Sequence, residues 1–188
     1  MIRTLVKCVA LAGVAFLAGC GSEGGSGGGP TTYLTVGIKT GTSSAAFVTF
    51  SSATKFRPGT LSFVVNSNIY TGVTPSNVQI TKQTLNYTPL PFETYSGSKQ
   101  RMSPTFTTLP VVNPVPLLIP GGSNGGLDNY PVFSANEFAE LAPLTIGDPR
   151  YSGKLLRYQL DMKFEGYEVQ TNEPVSGTIN SLIQVMTP

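Results

Sequence analysis

Residues 155–165, LLRYQLDMKFE, decide the fold, because apolar and polar side chains alternate strictly from Leu156 to Glu165. The even positions carry the apolar set, Leu156, Tyr158, Leu160, Met162 and Phe164. This period of two is typical of an antiparallel strand with one buried face and one solvated face. After Gly166 the next apolar residues, Tyr167 and Val169, fall on odd positions, so we expect a bulge or the end of the strand at that glycine.

The same period recurs along most of the chain from residue 31 onward. Residues 175–185 keep their apolar side chains largely on one parity and are predicted to form a C-terminal hairpin with 155–165. Within 78–88 the inward set shifts from Val78 and Ile80 to Leu85 and Tyr87, which predicts a second bulge. Further strands are predicted at 33–39, 46–50, 60–65, 78–88 and 111–119.

One segment interrupts the β pattern. Ser134 is followed three residues later by Glu137, the spacing of a capping box, and Phe133 and Phe138 stand at the positions of a hydrophobic staple. We therefore predict a short helix over 135–142, ended by Pro143, that serves as a plug or a crossover between sheets. The preceding glycine-rich segment 120–126, PGGSNGG, is predicted to be a mobile loop.

The composition agrees with short strands joined by many turns. The 188 residues include 21 Gly and 15 Pro, and only 12% of them are charged, well below the share in ordinary soluble domains. About seven strands predict an all-β fold, a single antiparallel β-sandwich, with a barrel as the alternative. The chain has no Trp and therefore no Cys…Trp…Cys framework, so a likeness to immunoglobulin domains would lie in architecture alone.

The first 20 residues, MIRTLVKCVALAGVAFLAGC, have the shape of a secretory leader. Arg3 and Lys7 precede a short apolar stretch, as in a signal peptide. A transmembrane helix is the competing interpretation, but the uncharged run from Cys8 to Cys20 has 13 residues, whereas a span needs about 20.

Leu17-Ala18-Gly19-Cys20 at the end of this leader resembles the lipobox of bacterial lipoproteins. The resemblance implies cleavage before Cys20, a diacylglycerol on its thiol and an acyl chain, such as palmitate, on its new amine. Gly21 in place of Asp implies sorting to the outer membrane, on a face that the sequence leaves open. Ordinary cleavage that leaves a free thiol is the alternative.

These expectations divide the chain into three parts. Residues 1–19 are a signal peptide, 20–30 are the lipidated cysteine with a Gly/Ser-rich tether, and 31–188 are the folded domain. Ten Gly-rich residues have a root-mean-square reach of roughly 17 Å. Removing Arg3 and Lys7 leaves 10 basic and 10 acidic side chains (12 − 2 against 10), a balance that disfavours binding to nucleic acid.

Residues 76–89, SNVQITKQTLNYTP, are similar to a segment of small bacterial surface lipoproteins with one immunoglobulin- or fibronectin-III-like domain. The shared pattern is a strand of the form V-x-I followed, after six intervening residues, by Y-x-P. The resemblance implies that fold for the domain and assigns no catalytic activity to it.

The residue types needed for most catalytic sites are missing. The chain has no His, which removes Ser-His-Asp and Cys-His triads and His-containing metal sites. The G-x-S-x-G match at 121–125 follows a proline inside a glycine-rich loop and has no His partner in the chain, so it is not read as a nucleophile motif. No spacing pairs the acids for glycoside hydrolysis or Ca²⁺ binding, and Asp128 and Asp148 are read as turn residues. No sequence pattern supports a Ser/Lys dyad. We therefore expect no enzyme, catalytic residue, cofactor or metal.

Two functions fit these observations. The first is a lipid-anchored structural or accessory module of the envelope, bound to the membrane through Cys20 and to another envelope protein through an open sheet edge or the loop-rich face. The alternative is a carbohydrate- or small-ligand-binding surface module that uses exposed tyrosines. Two or more exposed rings on one face would favour it. The tyrosines in predicted loops are Tyr70, Tyr95, Tyr130 and Tyr151.

Overall fold

The computed structural model describes residues 29–95 and 99–188, which form ten strands and one helix. Cys20 and the leader lie outside the described residues. In chain order the elements are β1 (Thr32–Ile38), β2 (Ala45–Ser52), β3 (Lys55–Arg57), β4 (Gly59–Ile69), β5 (Val78–Tyr95), β6 (Lys99–Met102), β7 (Val111–Ile119), β8 (Asn124–Phe133), α1 (Ala135–Thr145), β9 (Leu155–Glu168) and β10 (Pro174–Met186).

The strands form two open sheets, so the all-β prediction is confirmed and neither sheet closes on itself. The smaller sheet has the order β1-β4-β8, and the larger has the order β3-β2-β10-β9-β5-β6, with β7 also paired to β5. The β9–β10 hairpin forms as predicted. Two details differ from the prediction: there are ten strands rather than about seven, and β10 runs parallel to β2 while the other pairs are antiparallel.

The core lies between the two sheets. The ring of Phe63 on β4 meets the ring of Phe164 on β9 at a centroid distance of 5.3 Å, and both side chains are fully buried. At Gly177 on β10 the sheets approach so closely that a Cβ atom would lie 2.9 Å from Val36 Cγ2 on β1. The two inner faces therefore interdigitate as in a sandwich.

The end of β9 differs from the sequence prediction. The even positions from Leu156 to Phe164 are buried as expected, but the same parity continues inward to Glu168, and Tyr167 is exposed. The extra residue lies on β5, where Thr81 is unpaired between Ile80↔Gly166 and Lys82↔Glu165, so the second predicted bulge is confirmed and the first is wrong. Gly166 is needed because a Cβ atom there would lie 2.0 Å from the Gln79 carbonyl oxygen.

Helix α1 forms where the capping box predicts it and crosses from β8 in the small sheet to β9 in the large one. Glu137 Oε2 accepts hydrogen bonds from the Ser134 amide at 2.7 Å and the Ser134 hydroxyl at 2.5 Å. Pro143 does not end the helix, which continues to Thr145. A proline one turn from the end removes a single backbone hydrogen bond, so the helix can continue past it. In this last turn the Thr145 hydroxyl donates to the Leu141 carbonyl at 3.0 Å.

The predicted glycine loop is partly a strand. Asn124, Gly125 and Gly126 begin β8 and pair with Asn66, Val65 and Val64 of β4. A Cβ atom on Gly125 would lie 3.0 Å from Ile119 Cγ1 and 3.2 Å from Leu117 Cδ1. Gly125 therefore allows β8 to pack closely on β7, which the glycine-rich composition alone did not indicate.

Candidate functional site

Most carboxylates of the described residues bind groups of the protein itself. Glu93 contacts both Lys154 at 2.6 Å and Arg101 at 2.9 Å, and the hydrogen bond from Lys154 is the main reason why its pKa is lowered. Asp128 lies in β8 rather than in a turn, whereas Asp148 is in the turn before β9 as predicted. The other ion pairs are Lys39–Asp128, Arg150–Asp148, Lys82–Glu165 and Lys163–Glu165.

A cleft of about 590 Å³ lies beside α1 and contains two acids, Glu137 and Glu140. Partial burial alone would raise the pKa of Glu140, but hydrogen bonds from the backbone and side chains of Thr107 and Thr108 outweigh it and lower this pKa to about 2. Glycoside hydrolysis needs a carboxyl group that holds its proton near neutral pH. Glu140 is ionised near neutral pH and binds the loop at Thr107 and Thr108, while Glu137 Oε2 caps the helix.

Glu168 is the acid whose position the sequence reading missed. Its side chain is fully buried, and its carboxylate accepts four hydrogen bonds. Oε1 accepts from the Thr31 hydroxyl at 2.9 Å, the Thr32 amide at 2.6 Å and the Thr32 hydroxyl at 2.8 Å, and Oε2 accepts from the Thr171 hydroxyl at 2.6 Å. Burial raises the pKa of Glu168, but these hydrogen bonds outweigh it and the net shift is downward. Glu168 thus fixes the start of the folded domain to the β9–β10 turn.

Of the four tyrosines predicted to lie in loops, three have described side chains, and their surroundings differ. Tyr130 is in β8, and its hydroxyl donates to the Pro114 carbonyl at 2.7 Å; partial burial raises its pKa. Tyr151 is half-buried, and its ring centroid lies 5.7 Å from that of Phe92. The side chain of Tyr95 lies outside the described residues. Of the four, Tyr70 alone is seen to be exposed.

Tyr70 is paired with a tyrosine that the sequence reading did not single out. Its ring centroid lies 5.1 Å from that of Tyr33 on β1, with 45° between the ring planes. The two side chains are 50% and 43% exposed, so this contact is on the surface and not in the core. Alternation along β1 could have placed Tyr33 outward, because Thr32 and Leu34 are buried on either side of it.

A row of apolar side chains runs along the outer face of β7. Val112 and Leu118 are 57% and 56% exposed, and Pro114 and Pro116 between them are exposed as well. Two prolines in a strand remove two backbone donors, which disfavours the addition of a partner strand at β7. The row is therefore suited to side-chain contacts.

The described part of the chain offers no assembled metal site, since no three acidic side chains come together in it. No helix in residues 29–95 and 99–188 combines the length and apolarity that a bilayer span requires. Comparison with models of known protein families and with curated proteins finds no match to this chain.

Proposed function

We propose that this chain is a lipid-anchored lipoprotein of the bacterial outer membrane, whose domain is an accessory or protein-interaction module without catalytic activity. The anchor follows from the leader and from Leu17-Ala18-Gly19-Cys20. An immunoglobulin- or fibronectin-III-like architecture of the domain is part of the proposal, supported by the sandwich-like pair of open sheets. The absence of catalysis in the proposal is supported by carboxylates that are engaged in a helix cap, a loop contact and ion pairs.

The observation that carries the interaction role is the apolar row on β7. Val112 and Leu118 each leave more than half of their side chain in water, and the intervening prolines keep the surface between them apolar and stiff. Exposed apolar patches of this kind mark sites of protein association more often than single scattered residues do. The partner is expected to contribute a complementary apolar surface.

The test is recovery of partners from membranes after cross-linking of the acylated protein. We expect one protein in stoichiometric amount, and we expect the double substitution Val112→Thr with Leu118→Thr to abolish its recovery. Phe47→Thr is the matched control, because Phe47 is 51% exposed on another strand. Recovery that is equal in both variants would contradict a role for the β7 row.

Carbohydrate binding is the second candidate, and the Tyr33–Tyr70 pair is the observation that favours it. Aromatic rings stack on the apolar faces of sugars, and the Asn68 amide, which donates to the Thr35 hydroxyl at 3.0 Å, lies opposite Tyr33 on the same sheet. A glycan array probed with the unacylated domain tests this candidate. A signal that Tyr33→Thr removes, without any protein partner, would replace the first proposal.

A further inference from the structure

The end of the domain at which the tether enters is built from four segments, 29–33, 67–79, 117–125 and 166–175, which we call the tether end. Hydrogen bonds join them: Glu168 accepts from Thr31, Val169 N–H donates to the Asn77 carbonyl at 2.8 Å, and Ser67 N–H donates to the Ser123 carbonyl at 2.9 Å. The tether end is thus one contiguous surface next to the point where the chain leaves for Cys20.

Exposed apolar side chains concentrate at the tether end. Eleven large hydrophobic residues of the described chain are exposed, and seven of them belong to these four segments. The Tyr33–Tyr70 pair forms part of the group, which is Tyr33, Ile69, Tyr70, Val73, Leu118, Tyr167 and Val169. Random scatter would not place most of them in segments that make up less than a quarter of the described residues.

Charged side chains, in contrast to apolar ones, are scarce at the tether end. The four segments contain no Lys or Arg, and their two acids are Glu168, which is buried, and Glu173. Every basic residue of the described chain lies elsewhere. An apolar, tyrosine-bearing surface without basic groups matches the interface of an uncharged or zwitterionic bilayer rather than an acidic polymer.

We propose that the tether end rests on the lipid surface, with Tyr33, Tyr70 and Val73 among the headgroups. The inference rests on the proposed acylation of Cys20, which holds this end of the domain within a tether length of roughly 17 Å. A tether of this kind raises the local concentration of the surface to the millimolar range, so that weak contacts become populated. Tyrosine favours this layer because its ring is apolar and its hydroxyl is polar. Docking in this way leaves the end of the domain opposite the tether end directed away from the membrane. Leu118, which the tether end shares with the β7 row, is not among the residues placed in the headgroups and stays available to a protein partner.

The test uses the mature chain, residues 20–188, in which Cys20 is the sole cysteine. Its free thiol is coupled to a maleimide lipid in phosphatidylcholine nanodiscs that also carry a gadolinium headgroup chelate. We expect the backbone amide signals of Tyr33, Tyr70, Val73 and Val169 to be broadened, and those of Leu144 and Met102 to stay sharp. Broadening that is uniform, or stronger at Leu144 and Met102, would overturn the proposal.

A triple variant, Tyr33→Thr with Tyr70→Ser and Val73→Ser, should lose the preferential broadening, so that signals of the tether end match that of Leu144. The matched control, Met102→Thr with Leu144→Ser, removes exposed apolar side chains outside the tether end and should keep it. Added salt should change neither result, because no basic group takes part. If neutral oligosaccharides shift the Tyr33 and Tyr70 signals while lipid does not broaden them, the surface binds glycans and the proposal is wrong. Chemical coupling makes this result independent of acylation in the cell, so failure of the proposed lipidation would be recognised separately.

Discussion

Replacing Glu168 should reveal how strongly the start of the folded domain is fixed to the rest. The carboxylate is fully buried and accepts four hydrogen bonds, from Thr31, from the amide and hydroxyl of Thr32, and from Thr171. Glu168→Ala removes all four acceptor contacts and leaves the buried Thr32 donors without partners. We expect the free energy of unfolding to fall by about 3–5 kcal/mol.

Glu168→Gln keeps the shape of the side chain and one oxygen but removes the charge. Hydrogen bonds to an ionised group are roughly twice as strong as neutral ones, so we expect this variant to lose about 1–2 kcal/mol. Urea unfolding followed by circular dichroism measures both changes. Glu173→Gln in the same turn is the control, and a partly exposed side chain of this kind should change stability by less than about 0.5 kcal/mol.

The dependence on pH follows from the lowered pKa of Glu168. A carboxyl group whose pKa is lower in the folded state stabilises the protein above its unfolded pKa, near 4.5, and loses this contribution as the pH falls through the folded value. The stability difference between the native chain and Glu168→Gln should therefore be constant near neutral pH and shrink below about pH 4.5. A difference that persists unchanged into strong acid, or a cost below about 1 kcal/mol for Glu168→Ala, would refute the reasoning.

Two further substitutions test the interior. Gly166→Ala would bring a Cβ atom to 2.0 Å from the Gln79 carbonyl oxygen, so it should lower the free energy of unfolding by about 3 kcal/mol or more. Gly37→Ala is the control and should be tolerated, because a Cβ atom there meets no atom within 4 Å. Urea denaturation of the two variants measures the difference. Gln83 is fully buried with one long contact, from Nε2 to Met162 Sδ at 3.8 Å, and no partner for Oε1 among the described residues. Gln83→Met should thus stabilise the domain by about 1 kcal/mol, seen as a higher melting temperature, and a lower one would show that the amide is satisfied.

The predictable part of the fold is the part governed by local alternation and capping. The burial of Leu156 to Phe164, the β9–β10 hairpin and the start of α1 at Ala135 all follow from residues close in sequence. What the sequence did not reveal depends on contacts between distant segments. The parallel pairing of β2 with β10 joins strands more than a hundred residues apart, and no local pattern specifies it.

Gly166 shows why the candidate site was harder to predict than the fold. From the sequence, its lack of a side chain and the apolar residues after it suggested a change of phase. In the structure a glycine is required because the backbone of Gln79 and Ile80 on the neighbouring strand, just before the bulge at Thr81, lies against it. Because the alternation of buried and exposed positions continues through Gly166, Glu168 points inward and Tyr167 points outward. One residue read in the wrong register thus concealed both the buried carboxylate and an exposed ring of the tether end.

The central claim, attachment to the membrane through Cys20, is tested most directly by the mass and location of the mature protein. We expect the N-terminal peptide to begin at Cys20 and to carry the added mass of a diacylglycerol and one further acyl chain, and the protein to remain in washed outer membranes. Cys20→Ser should leave the domain folded, with an unchanged circular dichroism spectrum, and release it from those membranes. An unmodified Cys20, or a Cys20→Ser protein that still partitions fully with washed membranes, would contradict the account.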